Sequence, residues 1–235
     1  MTSYKFLQYN TDDLRLGWDV LEKLANDCDF FMLQRFPKNK QQELCEHSGK
    51  LFLTESVKQD DLCVVLGRAE GLSSIGSVET INLPSKQLVH AVGDRWQGCT
   101  AIKGTYNNQV TFVSVLPCFP ESIGEYPVTM EDNLRDIDYL LDSLKDSKTI
   151  IAGDFHFSPE TTRINEIIKK HGFKSYLDGH KTFKESASGK LINLDKLLCN
   201  FTIDISDVIV HNIDTDIQQG HFPITYKLSW ETDWV

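Results

Sequence analysis

The sequence predicts an α/β fold: a mixed β-sandwich of two stacked sheets with helices on the outside. Three observations carry this expectation. Short apolar runs such as Phe6-Leu7-Gln8-Tyr9 and Phe30 to Gln34 recur along the chain and have the length of buried strands. Segments of helical period lie between such runs from one end to the other, which suits helices packed on stacked sheets. The middle of the chain is dense in short strands separated by Gly, Asn and Asp, the pattern of an antiparallel portion.

In chain order, residues 4–9 read as the first strand. Thr11-Asp12-Asp13 reads as a helix start, with Leu14, Val20, Leu21 and Leu24 at helical spacing as far as Asn26. Phe30 to Gln34 is the second core strand, and Lys38 to His47 a helix that is polar on most sides. Strands follow over Leu62–Leu66, Ser77–Leu83, Gln87–Val92, Cys99–Lys103 and Val110–Leu116. Tyr106-Asn107-Asn108-Gln109 is a hairpin turn, because Asn tolerates positive φ. Thr129 to Leu144 is the clearest helix, with Leu134, Ile137, Asp138, Leu141 and Leu144 on one mostly apolar face. Ile150–Ala152 is a buried strand leading into Asp154. Ser158-Pro159 starts the next helix, Ile164, Ile167 and Ile168 form its inner stripe, and Gly172 ends it. Leu194–Cys199, Ile203–His211 and Ile224–Ser229 close the chain as strands.

Composition bounds the function classes. The net charge of −10 argues against tight, non-specific binding to duplex DNA, which needs a basic footprint. Arg163, Lys169, Lys170, Lys174, Lys181, Lys184 and Lys190 make one stretch locally basic, read as a solvated helix face and loop. The six cysteines are scattered singly with no C-x-x-C pair, so zinc-site spacing is absent and they read as buried thiols. No apolar run approaches the roughly 20 residues of a bilayer span. Met1 to Lys5 has no apolar segment of a secretory signal, so a reducing, cytoplasmic setting is expected. No Gly-x-Ser-x-Gly elbow supports nucleophilic serine chemistry.

The chemistry-bearing residues end or interrupt the apolar runs. Asn10 closes the first strand and Gln34-Arg35 the second. Gly153-Asp154-Phe155-His156 ends a third, Asp195 opens Leu194-Asp195-Lys196-Leu197-Leu198, and Gln219-Gly220-His221-Phe222-Pro223 precedes the last. Polar groups at strand ends are where a rigid scaffold opens to solvent. In this order the landmarks resemble the endonuclease/exonuclease/phosphatase superfamily, with its deoxyribonuclease-like four-layer sandwich. The family pattern is a strand ending in Asn, then "LQE", "GDFN", "(I/L)DY" and "SDHxP". The resemblance spans Tyr4 to Leu228, and on that ground a single domain over residues 1–235 is expected.

The resemblance implies hydrolysis of a phosphoester, with nucleic acids and nucleotides among the candidate substrates, and a magnesium or manganese ion held at Asn10 and Asp154. Asp154 would orient or deprotonate the attacking water. His221 would bond or protonate a phosphoryl oxygen, with Asp195 fixing its tautomer. Asn10 would bind phosphate.

Three departures stand beside these matches. Arg35 occupies the place of the family's metal-binding Glu, and an arginine stays protonated and cannot ligate a cation. It would bind phosphate instead, leaving little demand for a metal. His156 replaces the Asn of "GDFN" and would compensate as a hydrogen-bonding or ligating imidazole. Gly220 replaces the Asp of "SDH". The alternative is therefore a catalytically inactive member of the fold that binds a phosphate-bearing ligand or a protein partner. Segments 67–77, 117–128 and 178–193 are expected to lie above the site and set specificity.

Overall fold

Alternation along the first strand sets the architecture. In β1 (Thr2–Asn10) Phe6 lies in a core between two sheets, whereas Leu7 and Tyr9 lie in a second core on the other face. Side chains alternate between faces along a strand, so Gln8 and Asn10 share the face of Phe6. The structure is a computed structural model. It describes residues 2–11, 17–48, 50–53, 62–69, 72, 75–86, 99–117, 129–156, 162–185, 188–211 and 220–231.

β1 runs parallel to β2 (Phe30–Pro37) and antiparallel to β15 (Ile224–Trp230). With β3 (Lys50–Leu53), β4 (Leu62–Arg68) and β13 (Asp204–Val210) they form a six-stranded sheet, ordered β13-β15-β1-β2-β4-β3. The second six-stranded sheet contains β5 (Ile75–Asn82), β6 (Thr100–Tyr106), β7 (Val110–Leu116), β8 (Thr149–Asp154), β9 (Lys174–Ser175) and β12 (Asp195–Cys199). Its order is β5-β6-β7-β8-β12-β9, with β7 and β8 parallel. β10 (Phe183–Lys184), β11 (Leu191–Ile192) and β14 (Gly220–His221) form a third, three-stranded sheet.

The hydrophobic clusters define four layers. Phe6, Phe30, Met32, Phe112, Ile150, Leu197 and Tyr226 fill the space between the two large sheets. Outside the first sheet, α1 (Trp18–Ala25) and α2 (Gln41–Ser48) cover Leu7, Phe31, Leu33 and Val65 through Leu21, Ala25 and Leu44. Outside the second, α3 (Met130–Leu144) and α4 (Thr162–Lys170) cover Val113, Val115, Ile151 and Leu198 through Leu134, Ile137, Leu141, Ile164 and Ile168. This is the expected mixed sandwich flanked by helices, and the small third sheet is an addition to it.

Local signals read from sequence recur in detail. Thr129 caps α3 in a reciprocal capping box with Asp132. Asn107 and Asn108 both take positive φ, 50° and 55°, in the three-residue turn over 107–109 that joins β6 to β7. Gly172 ends α4 with φ 77°. Other expectations are adjusted. The polar segment from Lys38 begins as a 3-10 turn over Lys38–Lys40 before α2. The expected strand Gln87–Val92, the first turn at Ser158-Pro159 and most of the segment 117–128 lie outside the described residues. Cys28, Cys63, Cys99 and Cys199 are buried among apolar side chains. Two members of the basic stretch join helices: Arg163 pairs with Glu131 and Lys170 with Asp138, tying α4 to α3. Among the described residues, no helix is long and apolar enough to cross a membrane.

Candidate active site

Strand parity brings the candidate residues to one place. Asn10 ends β1 on the inner face. Ile150 and Ala152 of β8 face the same core, so Asp154, two residues on, does too. On β12, Leu197 and Cys199 face inward, and Asp195 shares that face. Asp154 and Asp195 are direct register partners across β8 and β12. Gly153 allows β8 to lie tight on β7, because a Cβ there would stand 2.1 Å from the Val115 carbonyl oxygen.

The third sheet delivers the imidazole. His221 of β14 is paired with Phe183 of β10, and the two rings lie 4.7 Å apart at 60°. Its Nδ1 is 3.0 Å from Asp195 Oδ2, and its Nε2 is 3.2 Å from Asp154 Oδ2. Asn10 Nδ2 donates to Asp154 Oδ2 at 2.9 Å and lies 3.4 Å from His221 Nε2. His156 places Nδ1 3.1 Å from the same Asp154 oxygen, and its backbone amide donates to Asp154 Oδ1 at 2.9 Å. The structure thus brings together Asn10, Asp154, His156, Asp195 and His221. Asn10, Asp154 and Asp195 are almost fully buried, and the His156 and His221 side chains are the more exposed members of the set.

Arg35 reaches the site through a β-bulge. Leu33 pairs with Val65 and Phe36 with Cys63, so Gln34 and Arg35 together stand opposite one residue, Val64. Leu33 and Phe36 face the outer core and Val64 the inner one. The extra residue breaks the parity that would send Arg35 outward, and Arg35 takes φ 51°. Its positive charge acts on His156. His156 itself sits at φ 57°, a left-handed conformation that Asn, Asp and His accept more readily than other residues.

Burial and charge pull the titrating groups apart. Burial opposes protonation of His221, but the facing carboxylates of Asp154 and Asp195 outweigh it and push the imidazole up to about 10. Burial would raise the Asp154 carboxyl, yet the charges of His156 and His221 and their hydrogen bonds hold it well below the usual carboxylate range. Asp195 goes the other way. Burial raises it and the facing Asp154 charge adds to this, while the charge and hydrogen bond of His221 only partly offset them; Asp195 Oδ1 is buried without a hydrogen-bond partner. Burial lowers His156 below the ordinary histidine value; Asp154 opposes this, while His221 and Arg35 add to it.

The donor set does not suit a resident divalent cation. A hard cation wants several oxygen ligands from carboxylates, carbonyls and water. Both oxygens of Asp154 already accept from protein nitrogen atoms. Asp195 turns its bonded oxygen to His221, and Arg35 brings positive charge. Among the described residues, no group of three or more His, Cys, Asp or Glu side chains is arranged to hold an ion.

Several residues that position the site are ones the sequence reading did not single out. Thr182 Oγ1 accepts from the backbone amides of Leu194 and Asp195, both at 3.2 Å, and fixes the start of β12. Gln8 Nε2 donates to the carbonyls of Gly153 at 3.2 Å and Lys196 at 3.1 Å, and Tyr226 Oη donates to Gln8 Oε1 at 3.3 Å. This ties the two large sheets together just beneath Asp154 and Asp195. Gln34 Nε2 donates to Ser114 Oγ at 2.9 Å in a further inter-sheet bond. A polar residue inside a buried apolar run was the available signal for Gln8.

No sequence-family profile matches the chain, and no curated protein sequence does. Solved structures do. An endonuclease/exonuclease/phosphatase from Beutenbergia cavernae superposes with TM-score 0.71 at 12% identity, covering 97% of this chain and 72% of that one. An endonuclease/exonuclease/phosphatase family protein from Leptotrichia buccalis gives TM-score 0.65 at 18% identity, covering 97% and 100%. The human Nocturnin catalytic domain with a bound sulfate anion gives TM-score 0.68 at 12% identity, covering 97% and 94%. The chain therefore has the endonuclease/exonuclease/phosphatase fold, as the resemblance implied.

Proposed function

We propose that this protein is a phosphoesterase that hydrolyses its substrate by in-line attack of water. The observation that carries the reading is the line Asp195–His221–Asp154, with Asn10 and His156 on the same Asp154 carboxylate. Two imidazoles meet one carboxylate oxygen, and their environments push them to opposite protonation states. A pair of groups driven apart in this way marks an acid and a base.

The roles follow from the chemistry. Asp154, held far below the usual carboxylate range, is a weak base and acts as an orienting acceptor. His156, neutral with its Nδ1–H on Asp154, carries a lone pair on Nε2 and takes the proton from the attacking water. That water's oxygen bonds to phosphorus as the ester oxygen leaves. His221, protonated at both nitrogens, gives the Nε2 proton to the leaving oxygen, and Asp195 steadies the imidazole through Nδ1. Asn10 and Arg35 donate to the non-bridging phosphoryl oxygens. Nucleic acids and nucleotides remain the substrate candidates implied by the fold.

The test is turnover of bis-p-nitrophenyl phosphate, p-nitrophenyl phosphate, single- and double-stranded DNA, and RNA. Each is assayed with magnesium, with manganese and in chelator, beside Asp154→Ala. Turnover that survives Asp154→Ala overturns the reading. The binding-only alternative is favoured by one observation, the saturation of Asp154 by protein donors. It wins if no substrate is turned over while oxyanions still bind.

A further inference from the structure

We infer that the site takes its phosphate as a bare oxyanion, with the Arg35 guanidinium standing where a divalent cation would otherwise bridge protein and ligand. This rests on the phosphoester reading above and specifies how that site neutralises its ligand.

Four observations carry it. Asp154 offers no unoccupied oxygen: Oδ1 accepts the His156 amide and Oδ2 accepts Asn10 Nδ2, with imidazole nitrogens at 3.1 and 3.2 Å. Asp195 turns Oδ2 to His221 at 3.0 Å, which leaves Oδ1 as the single carboxylate oxygen of the pair without a hydrogen-bond partner, too few for a hard cation. No trio of ligating side chains assembles among the described residues. The bulge between Leu33 and Phe36 aims a permanent cation at the site edge in a left-handed conformation, φ 51°, that L residues adopt only when the surroundings impose it. A guanidinium presents a planar fork of donors matched to two oxygens of a phosphate, which a point charge does not. Asn10 Nδ2 and His221 Nε2, 3.4 Å apart, add polar contacts at the buried end.

The experiment uses the full chain. Inorganic phosphate binding is followed by calorimetry, in chelator and again in chelator-free buffer with magnesium, and manganese binding by loss of the free-ion paramagnetic resonance signal in chelator-free buffer. Phosphate is expected to bind in chelator, with an affinity that added magnesium changes by no more than about twofold, and the manganese signal to persist. Arg35→Gln is expected to weaken phosphate by about tenfold or more, the scale of one charge-assisted fork. Arg35→Glu is expected to weaken phosphate further and to take up manganese. If either variant fails to fold by circular dichroism, Arg35→Lys keeps the charge without the fork and should bind with intermediate affinity. Manganese uptake by the wild type that Asp154→Asn abolishes overturns the inference, as does phosphate binding that needs magnesium or does not occur at all. Magnesium-dependent turnover that needs Asp154 would sink this inference and uphold the hydrolytic reading. Phosphate binding in chelator without turnover of any substrate would do the reverse.

Discussion

Asp154 Oδ2 faces three side-chain nitrogens, from Asn10, His156 and His221, and each can be tested singly. Asp195→Asn keeps the shape but removes one of the two charges that hold His221 protonated. We expect kcat to fall by about 10²-fold or more, with a lower His221 pKa by NMR, because partners that fix an imidazole carry much of its function. The folded value of His221, about 10, lies above the ordinary 6.5. Its stabilisation is therefore complete below about pH 6.5 and fades as pH rises toward 10. The gap in thermal midpoint between wild type and His221→Gln should narrow through that window; a constant or widening gap is incompatible with the pairing. The rate profile should follow the same groups, with an acid limb below pH 6.5 set by His156 and an alkaline limb near 10 set by His221. These residues were legible in the sequence because each ended an apolar run in a familiar order. Thr182 and Phe183 were not, because their partners lie on strands far along the chain and short-range periodicity carries no trace of such contacts.

Among the elements, β8 and the β6–β7 turn carry the sharpest expectations. A methyl at Gly153 meets the Val115 carbonyl oxygen at 2.1 Å and Val115 Cγ1 at 2.7 Å, with backbone on one side. Gly153→Ala should cost about 3 kcal/mol or more in urea unfolding and displace Asp154, lowering activity with it. Asn108→Val should cost about 1 kcal/mol or more, because φ 55° is strained for a β-branched residue. The long strands and α3 were readable from period and caps. The two-residue strands β9, β10, β11 and β14 were not, because two residues make no period. The position of Arg35 also escaped parity: the bulge adds one residue to β2, and a single insertion reverses every facing assignment beyond it.

Across the whole molecule, the two sheets are joined by apolar packing and by a few inter-sheet hydrogen bonds. Gln8 makes two of these inter-sheet bonds, to Gly153 and Lys196, and accepts a third from Tyr226 of its own sheet. Gln8→Leu leaves buried polar groups without partners and should destabilise by about 2–3 kcal/mol, with a larger loss in turnover than in folding, because the bonds lie directly under both acids. The shared core also supports the proposal of one domain, and urea should give a single transition by fluorescence and circular dichroism together. The four-layer order was legible from the alternation of helices and strands, whereas the inter-sheet polar ties were not, since they depend on how two separately patterned faces meet.

Asp154 and Asp195 stand opposite each other on a continuous ladder from Cys199↔Ile150 to Asp195↔Asp154, in the interior of the second sheet. Amides of that ladder should exchange with deuterated solvent only through global opening. The paired acids would then stay aligned through every partial opening of the surrounding loops, and the chemistry would be lost only when the whole chain unravels.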